Sequence, residues 1–173
     1  VKSNEDEPDT LADTKTESIR YWMYTSGEGS AMWDTFYKDG IMAIGWGEIG
    51  DLRTFDSKKA MKQKMKDTYD PTLTYMNAAH ATWQFANEIK IGDVVFVKKG
   101  RSQIIGRGVV TSEYEYLESD PSYPHRRLVN WTHKGEWPHP GGQAVLKTLT
   151  DITPYTDYVE KLCALFAADT DDD

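Results

Sequence analysis

The chain has 173 residues, a single cysteine and a formal net charge of -8, which suits one domain with tails and excludes an internal disulfide framework. No run approaches the roughly 18 apolar residues of a membrane helix, the first residues lack the apolar stretch of a signal peptide, and the lone Cys163 fits a reducing, cytoplasmic compartment. The acidity that would argue against a nucleic-acid partner sits at the ends: residues 1–17 hold six acids and two bases and 169–173 hold four acids, so 18–168 nets zero. Both ends, 1–18 and 169–173, carry charge with almost nothing apolar to bury and are expected to be disordered, leaving 19–168 as the folded domain.

Arg20 to Thr25 is aromatic-rich and strand-like, and Ser26 to Ser30 is a loop. Ala31 to Lys38 pairs Met32 with Phe36 and Trp33 with Tyr37 at helical spacing, with Gly40 as the stop. Ile41 to Gly45 is a short strand running into Trp46-Gly47. Ser57 caps a helix through Lys66, apolar at Ala60, Met61 and Met65 and coated by five lysines. A second helix, Asn77 to Ile89, carries a stripe of Ala78, Ala81, Thr82, Phe85 and Ile89. Val94 to Val97 is an unbroken apolar run and reads as a buried strand; Lys98 to Arg101 turns the chain. Gln103 to Val110 is the next strand, and Gly106 and Gly108 mark a bulge or a close backbone approach in it. Arg127 to Trp131 is a fifth strand, His133 to Gly142 a loop, and Ala144 to Leu149 a last strand. Thr153-Pro154 opens a helix with Tyr155, Val159, Leu162 and Phe166 on one face. The order predicts an α+β fold: a mostly antiparallel barrel of five or six strands, closed by the C-terminal helix.

Enzyme signatures are missing. There is no phosphate-binding glycine loop, and His80, His125, His133 and His139 stand at no metal-ligand spacing. Cys163 lies beside Leu162 as a small buried hydrophobe. No catalytic residue, metal or cofactor is assigned. The aromatic content is more telling: six tryptophans and ten tyrosines. Most belong in a core, and Trp22, Phe85, Phe96 and Tyr155 fall at core-facing positions. Trp46 differs, because Gly45 and Gly47 on either side let a ligand approach the ring. Trp33, Tyr114, Tyr116, Trp131 and Trp137 are further aromatic candidates. Lys98, Lys99, Arg101 and Arg107 form an acid-free basic stretch, followed by Arg126-Arg127. These six are the expected phosphate contacts, since arginine pairs with phosphate and stacks on bases. The lysine-coated helix reads as ordinary solvated surface.

The runs Tyr21–Leu52, Asn77–Phe85, Ile89–Val110, His125–Trp131 and Lys147–Thr153 together resemble a known family. Most distinctive are Ala-Ile-Gly-Trp at 43–46, Lys90 to Val97 and Gly106 to Val109. The chain resembles the EVE-type domains at the N-terminus of McrBC-like modification-dependent restriction NTPases, which are similar to YTH domains and belong to the PUA-like superfamily. The resemblance implies a non-enzymatic, PUA-like barrel that captures a flipped, modified base in an aromatic cage. The partner would be modified DNA, or RNA for a YTH-like reader, with an NTPase or nuclease fused or supplied separately. By position it implies Trp46, with Gly47, as a cage wall, Asn77 as a hydrogen-bonding group for the base edge, Ser26-Gly27 as a rim, and Tyr114 or Tyr116 as a second wall. A protein-interaction module whose acidic tails engage a basic partner is the alternative. Flipping a base costs a few kcal/mol, and each aromatic stack returns about 1–3 kcal/mol, so two walls plus one or two hydrogen bonds to the base edge roughly balance the cost.

Overall fold

The apolar run at 94–97 is buried on both faces and forms the middle of a seven-stranded sheet, as a strand without polar alternation should. A computed structural model describes residues 19–141 and 147–171. In chain order they form β1 (Tyr21–Tyr24), α1 (Trp33–Asp39), β2 (Ile41–Ile44), α2 (Lys58–Thr68), α3 (Met76–Asn87), β3 (Val94–Lys99), β4 (Gln103–Val110), β5 (Glu115–Tyr116), β6 (His125–Pro138), β7 (Leu149–Asp151) and α4 (Thr156–Asp171). The sheet order is β2-β6-β4-β3-β1-β7, with β5 on β6. Every pairing is antiparallel except β1 with β3, where Tyr21 faces Val94 and Tyr24 faces Val97.

The two faces of β3 divide the interior. Val95 and Val97 join Trp22, Tyr24 and Ile105 in the larger core, under Trp33 and Phe36 of α1, Met61 and Met65 of α2 and Phe85 of α3. Phe96 joins Met23 and Ile104 on the other side, beneath Tyr158, Val159, Leu162 and Phe166 of α4. Burying each such large side chain is worth about 1.5–3 kcal/mol. The protein is therefore an α+β domain, a small curled half-barrel with helices packed on both sides.

Register shifts at Val97/Lys98, Ile104/Gly106 and Arg107/Gly108 bend the sheet. The glycines of β4 do mark close approach, but the approaching groups are the protein's own rings. A Cβ at 106 would overlap the Trp33 ring, and one at 108 would lie 2.5 Å from the ring of Trp131. Among the described residues no ladder joins β1 to β2 across the open side of the curl. The Tyr24 hydroxyl spans that gap instead: it donates to the Ala43 carbonyl at 2.6 Å and accepts from the Ala43 N–H at 3.0 Å.

Several expectations change. The sheet gains β5, and β6 extends through the segment read as a loop from His133. Its polar alternation and Gly135 hide a strand whose outer half is exposed. Lys98 and Lys99 belong to β3, not to the turn. In α3 the buried positions are Ala79, Thr82, Gln84 and Phe85, so the stripe is rotated from Ala78 and Ala81. Tyr155 is exposed, and Tyr158 takes its place against the sheet. The helix α4 covers one face of the sheet; the barrel is not closed by it. Residues 1–18 and 142–146, the latter including the expected start of the last strand at Ala144, lie outside the described residues. The backbone of α4 continues past Ala168 to Asp171.

Candidate functional site

The buried strand β2 ends at Ile44, and Gly45-Trp46 carries the chain off the sheet. Trp46 takes up the left-handed conformation, φ +67° and ψ +38°, which costs a side-chain-bearing residue about 1–2 kcal/mol. A buried relay holds it there. The Leu52 N–H donates to the Tyr114 hydroxyl at 3.0 Å, and that hydroxyl lies 2.8 Å from His125 Nδ1; His125 Nε2 lies 3.1 Å from the Trp46 carbonyl. A carbonyl can only accept, so Nε2 carries the proton and Nδ1 accepts from Tyr114. Gly47 then seats the turn on the 121–124 segment: a Cβ there would stand 2.5 Å from the Pro121 carbonyl oxygen. That glycine makes room for the protein's own backbone, not for a ligand.

Around the half-buried indole stand two tyrosines. Tyr69 meets it edgewise at 5.4 Å and Tyr75 at 6.1 Å, with interplanar angles of 76° and 89°. The Tyr69 hydroxyl donates to Glu48 Oε1 at 2.6 Å, and the Tyr75 hydroxyl accepts from the Asp70 N–H at 2.9 Å. That hydrogen bond holds the Glu48 carboxyl below its ordinary range, while desolvation, followed by the same bond, raises the Tyr69 phenol. Tyr75 is also left-handed, at φ +53°; with Ser30 and Trp46 it makes up the non-glycine residues of positive φ among the described residues. Two of those three lie in one aromatic cluster, where such strain tends to mark function.

Trp46 borders two hollows. One, of about 520 Å³, lies over the open side of the curl and is bounded by Thr25, Gly27, Gly45, Trp46, Lys98 and Tyr123. Beside it Thr25 Oγ1 and Ser26 Oγ are buried without a hydrogen-bond partner, a state that usually needs an explanation. The other, of about 310 Å³, is bounded by Trp46, Asn77, His80, Lys147 and Thr148. Asn77 and His80 also line a larger groove of about 680 Å³ along α2.

The structure thus brings together Trp46, Asn77, Gly27 and, behind it, Ser26. Lys98 joins the first hollow but is only 3% exposed, and burial lowers its ammonium's affinity for the proton. Gly100 also borders this hollow, while exposed Lys99 lines a separate one with Trp33, Tyr37 and Lys134, and exposed Arg101 lies in the turn that follows. Other candidates are placed elsewhere. Trp33 is wedged against Gly106 and Trp131. Tyr114 is buried in the relay, and Tyr116 packs on His125; neither walls a hollow with Trp46. The Trp131 indole donates to the Ile41 carbonyl, and Trp137 packs on Phe166. Arg107 donates to Thr132, and Arg126 pairs with Glu115 at 3.8 Å. Arg127 is buried against the end of α3, bonded to the carbonyls of Phe85, Ala86 and Ser112, and so serves as a helix cap, not a phosphate contact. Sequence reasoning missed Tyr69, Tyr75, His80 and Lys147. The available signal was the pair of tyrosines bracketing Asp70-Pro71, a turn that brings both rings to one side.

The relay carries a pH dependence. Burial holds the His125 imidazole below its ordinary value, outweighing the Trp46 carbonyl and Asp51. The unfolded chain takes up a proton near the ordinary value of about 6.5, where the folded chain resists it. Stability is therefore fully present above that value and falls as pH drops below it, and the depressed His80 and His139 act in the same direction. Melting temperatures measured from pH 8 to 5 should decline below about pH 6.5, less steeply in His125→Gln. An identical acid limb in the two proteins would refute the role given to His125.

The family model "Domain of unknown function (DUF8426)" matches residues 22–156. Among curated proteins no relative is matched. Two solved structures are similar at 14% identity. The structure "YTH domain-containing protein mmi1 and RNA complex" has a TM-score of 0.46 and covers 85% of this chain and 80% of that one. The structure "Mmi1 YTH domain" has a TM-score of 0.47 and covers 88% and 78%.

Proposed function

The chain belongs to the DUF8426 family, and on that footing we propose that it is a nucleic-acid reader holding one unstacked base beside Trp46. The observation that carries the proposal is Trp46 itself: its left-handed backbone is held at the carbonyl by His125, and its half-buried indole borders two hollows. Strain of this kind is retained where a surface must be presented rather than buried. Asn77 brings to the smaller of these hollows an amide able both to donate to and to accept from a base edge. Glycine-lined walls and the free hydroxyl of Thr25 fit a polar ligand over the open side of the curl.

The finer reading is that the base is a modified base of DNA. It rests on the resemblance of 43–46, 90–97 and 106–109 to EVE-type domains, in which a restriction motor and nuclease would be supplied by another domain or subunit. A methyl group filling an apolar niche adds only about 0.8 kcal/mol, so discrimination requires a fitted cage. The test is a panel of equal-length DNA and RNA oligonucleotides, unmodified or carrying one methylated base, measured at a fixed salt concentration. The expected result is tighter binding to unpaired than to paired sites, with one modified DNA base preferred. Preference for a modified RNA would move the ligand to RNA, and no binding to any member at low salt would end the reader proposal.

A further inference from the structure

The cations of the body are unevenly engaged. Arg20, Arg53, Arg126 and Lys134 make ion pairs, and Arg127 is buried on carbonyls. Lys58, Lys59, Lys62 and Lys66 are different: all four line the 680 Å³ groove between α2 and α3, no carboxylate lines it with them, and among the described residues none of the four is in an ion pair. Lys58, Lys62 and Lys66 recur every fourth residue, which places them on one face at intervals of about 6 Å along the axis. That interval suits successive phosphates of an extended strand. In a body whose net charge is zero, such a run makes one strongly positive lane.

The lane leads to the proposed base site. Asn77 and His80 line both the groove and the hollow beside Trp46, where Lys147 adds a further cation. His80 registers the local field: its proton affinity is lowered first by burial and then by Lys58, with Glu88 opposing, Lys147 adding a smaller push downward and Asp151 a smaller one upward. Exposed Met76 also lines the groove, apolar surface fit for a sugar or a neighbouring base.

We infer that the α2–α3 groove binds the sugar–phosphate backbone of a single strand on one side of the base held at Trp46, with Lys58, Lys59, Lys62 and Lys66 contacting its phosphates. The inference rests on the reader proposal and moves the main phosphate contacts away from the β3–β4 hairpin and Arg126-Arg127 of β6, where the sequence placed them.

The experiment uses the full chain and a fluorescently labelled, mixed-sequence single-stranded DNA dodecamer, titrated at several salt concentrations between about 50 and 200 mM. The double variant Lys62→Gln/Lys66→Gln should melt like the parent, because both side chains are on the surface lane. Its salt dependence should flatten by about 1.4 in log–log slope, near 0.7 for each lost phosphate contact on a single strand. It should weaken modified and unmodified oligonucleotides equally, since phosphate contacts carry no base information. The hairpin variant Lys99→Gln/Arg101→Gln should keep the parental slope more closely. A phosphate close to His80 also raises its proton affinity, so parental binding should tighten from pH 7.5 to 6, and this gain should vanish in His80→Gln. An unchanged slope in the α2 variant overturns the inference, as does a slope loss confined to the hairpin variant. Trp46→Ala separates the two claims. If it weakens binding while the α2 variant does not, the backbone runs elsewhere and the base site stands. If the α2 variant flattens the slope while Trp46→Ala binds normally, the groove stands as a phosphate lane and the base reading falls.

Discussion

Arg127→Met should destabilise the protein by about 3–5 kcal/mol without acting on nucleic-acid binding directly. The guanidinium lies 2.8 Å from the Phe85 carbonyl and 3.1 Å from those of Ala86 and Ser112. Two of these belong to the last turn of α3, where carbonyls lack helical partners and the macrodipole favours a cation. Removing the donor strands buried acceptors at about 1–3 kcal/mol each, and also removes the stacking of the guanidinium over the Phe85 ring at 5.9 Å. Burial pulls the Arg127 pKa down to about 10 despite Asp93 and Glu113, so the side chain remains charged at neutral pH. For a chain of this size the loss corresponds to a fall in Tm of roughly 10 °C. Arg127→Lys keeps the charge but not the fork and should recover only part of it. Unchanged melting together with weaker oligonucleotide binding would return Arg127 to the phosphate contacts.

Trp46→Ala should weaken binding of the preferred oligonucleotide by about 1–3 kcal/mol, roughly 5- to 150-fold, through loss of one stacking surface. The backbone at 46 allows a sharper form of this test. Since its φ is +67°, Trp46→Gly removes the ring and relieves a left-handed strain of about 1 kcal/mol at once. If the indole serves a ligand, the glycine variant should melt no lower than the alanine variant while binding equally poorly. A core indole behaves otherwise: its truncation typically costs about 3–5 kcal/mol, and both variants would then melt well below the parent. Melting curves and fluorescence-anisotropy titrations of the three proteins distinguish these outcomes.

What was legible in the sequence depended on periodicity. β1 and β3 were readable from their runs of large apolar and aromatic side chains, β4 from the apolar pairs on either side of its glycines, and α2 because Ser57 caps it and Met61 and Met65 share a face. Trp46 stood out by its flanking glycines, although Gly47 proves to be needed for the Pro121 contact. The rest depended on tertiary contact. Nothing local shows that Gly106 accommodates Trp33, or that Arg127 reaches across to α3. Tyr69 and Tyr75 sit in a loop whose spacing follows no helix or strand period, so only the fold reveals that their rings meet Trp46. The lysines of α2 read as a solvated face because a sequence does not show that α3 packs alongside and turns that face into a groove.

The position of β1 has a bearing on how the chain reaches this state. The first strand of the described domain is flanked by β3 on one side and by β7 on the other. During synthesis Tyr21–Tyr24 must wait, unpaired, until Val94–Val97 emerges, and its second edge stays open until Leu149–Asp151 follows. Closing such long loops is slow, and an apolar strand with a free edge is prone to mispairing meanwhile. Assembly is thus governed from the far end of the chain, and a truncation that removes β7 would leave the oldest strand exposed along one side.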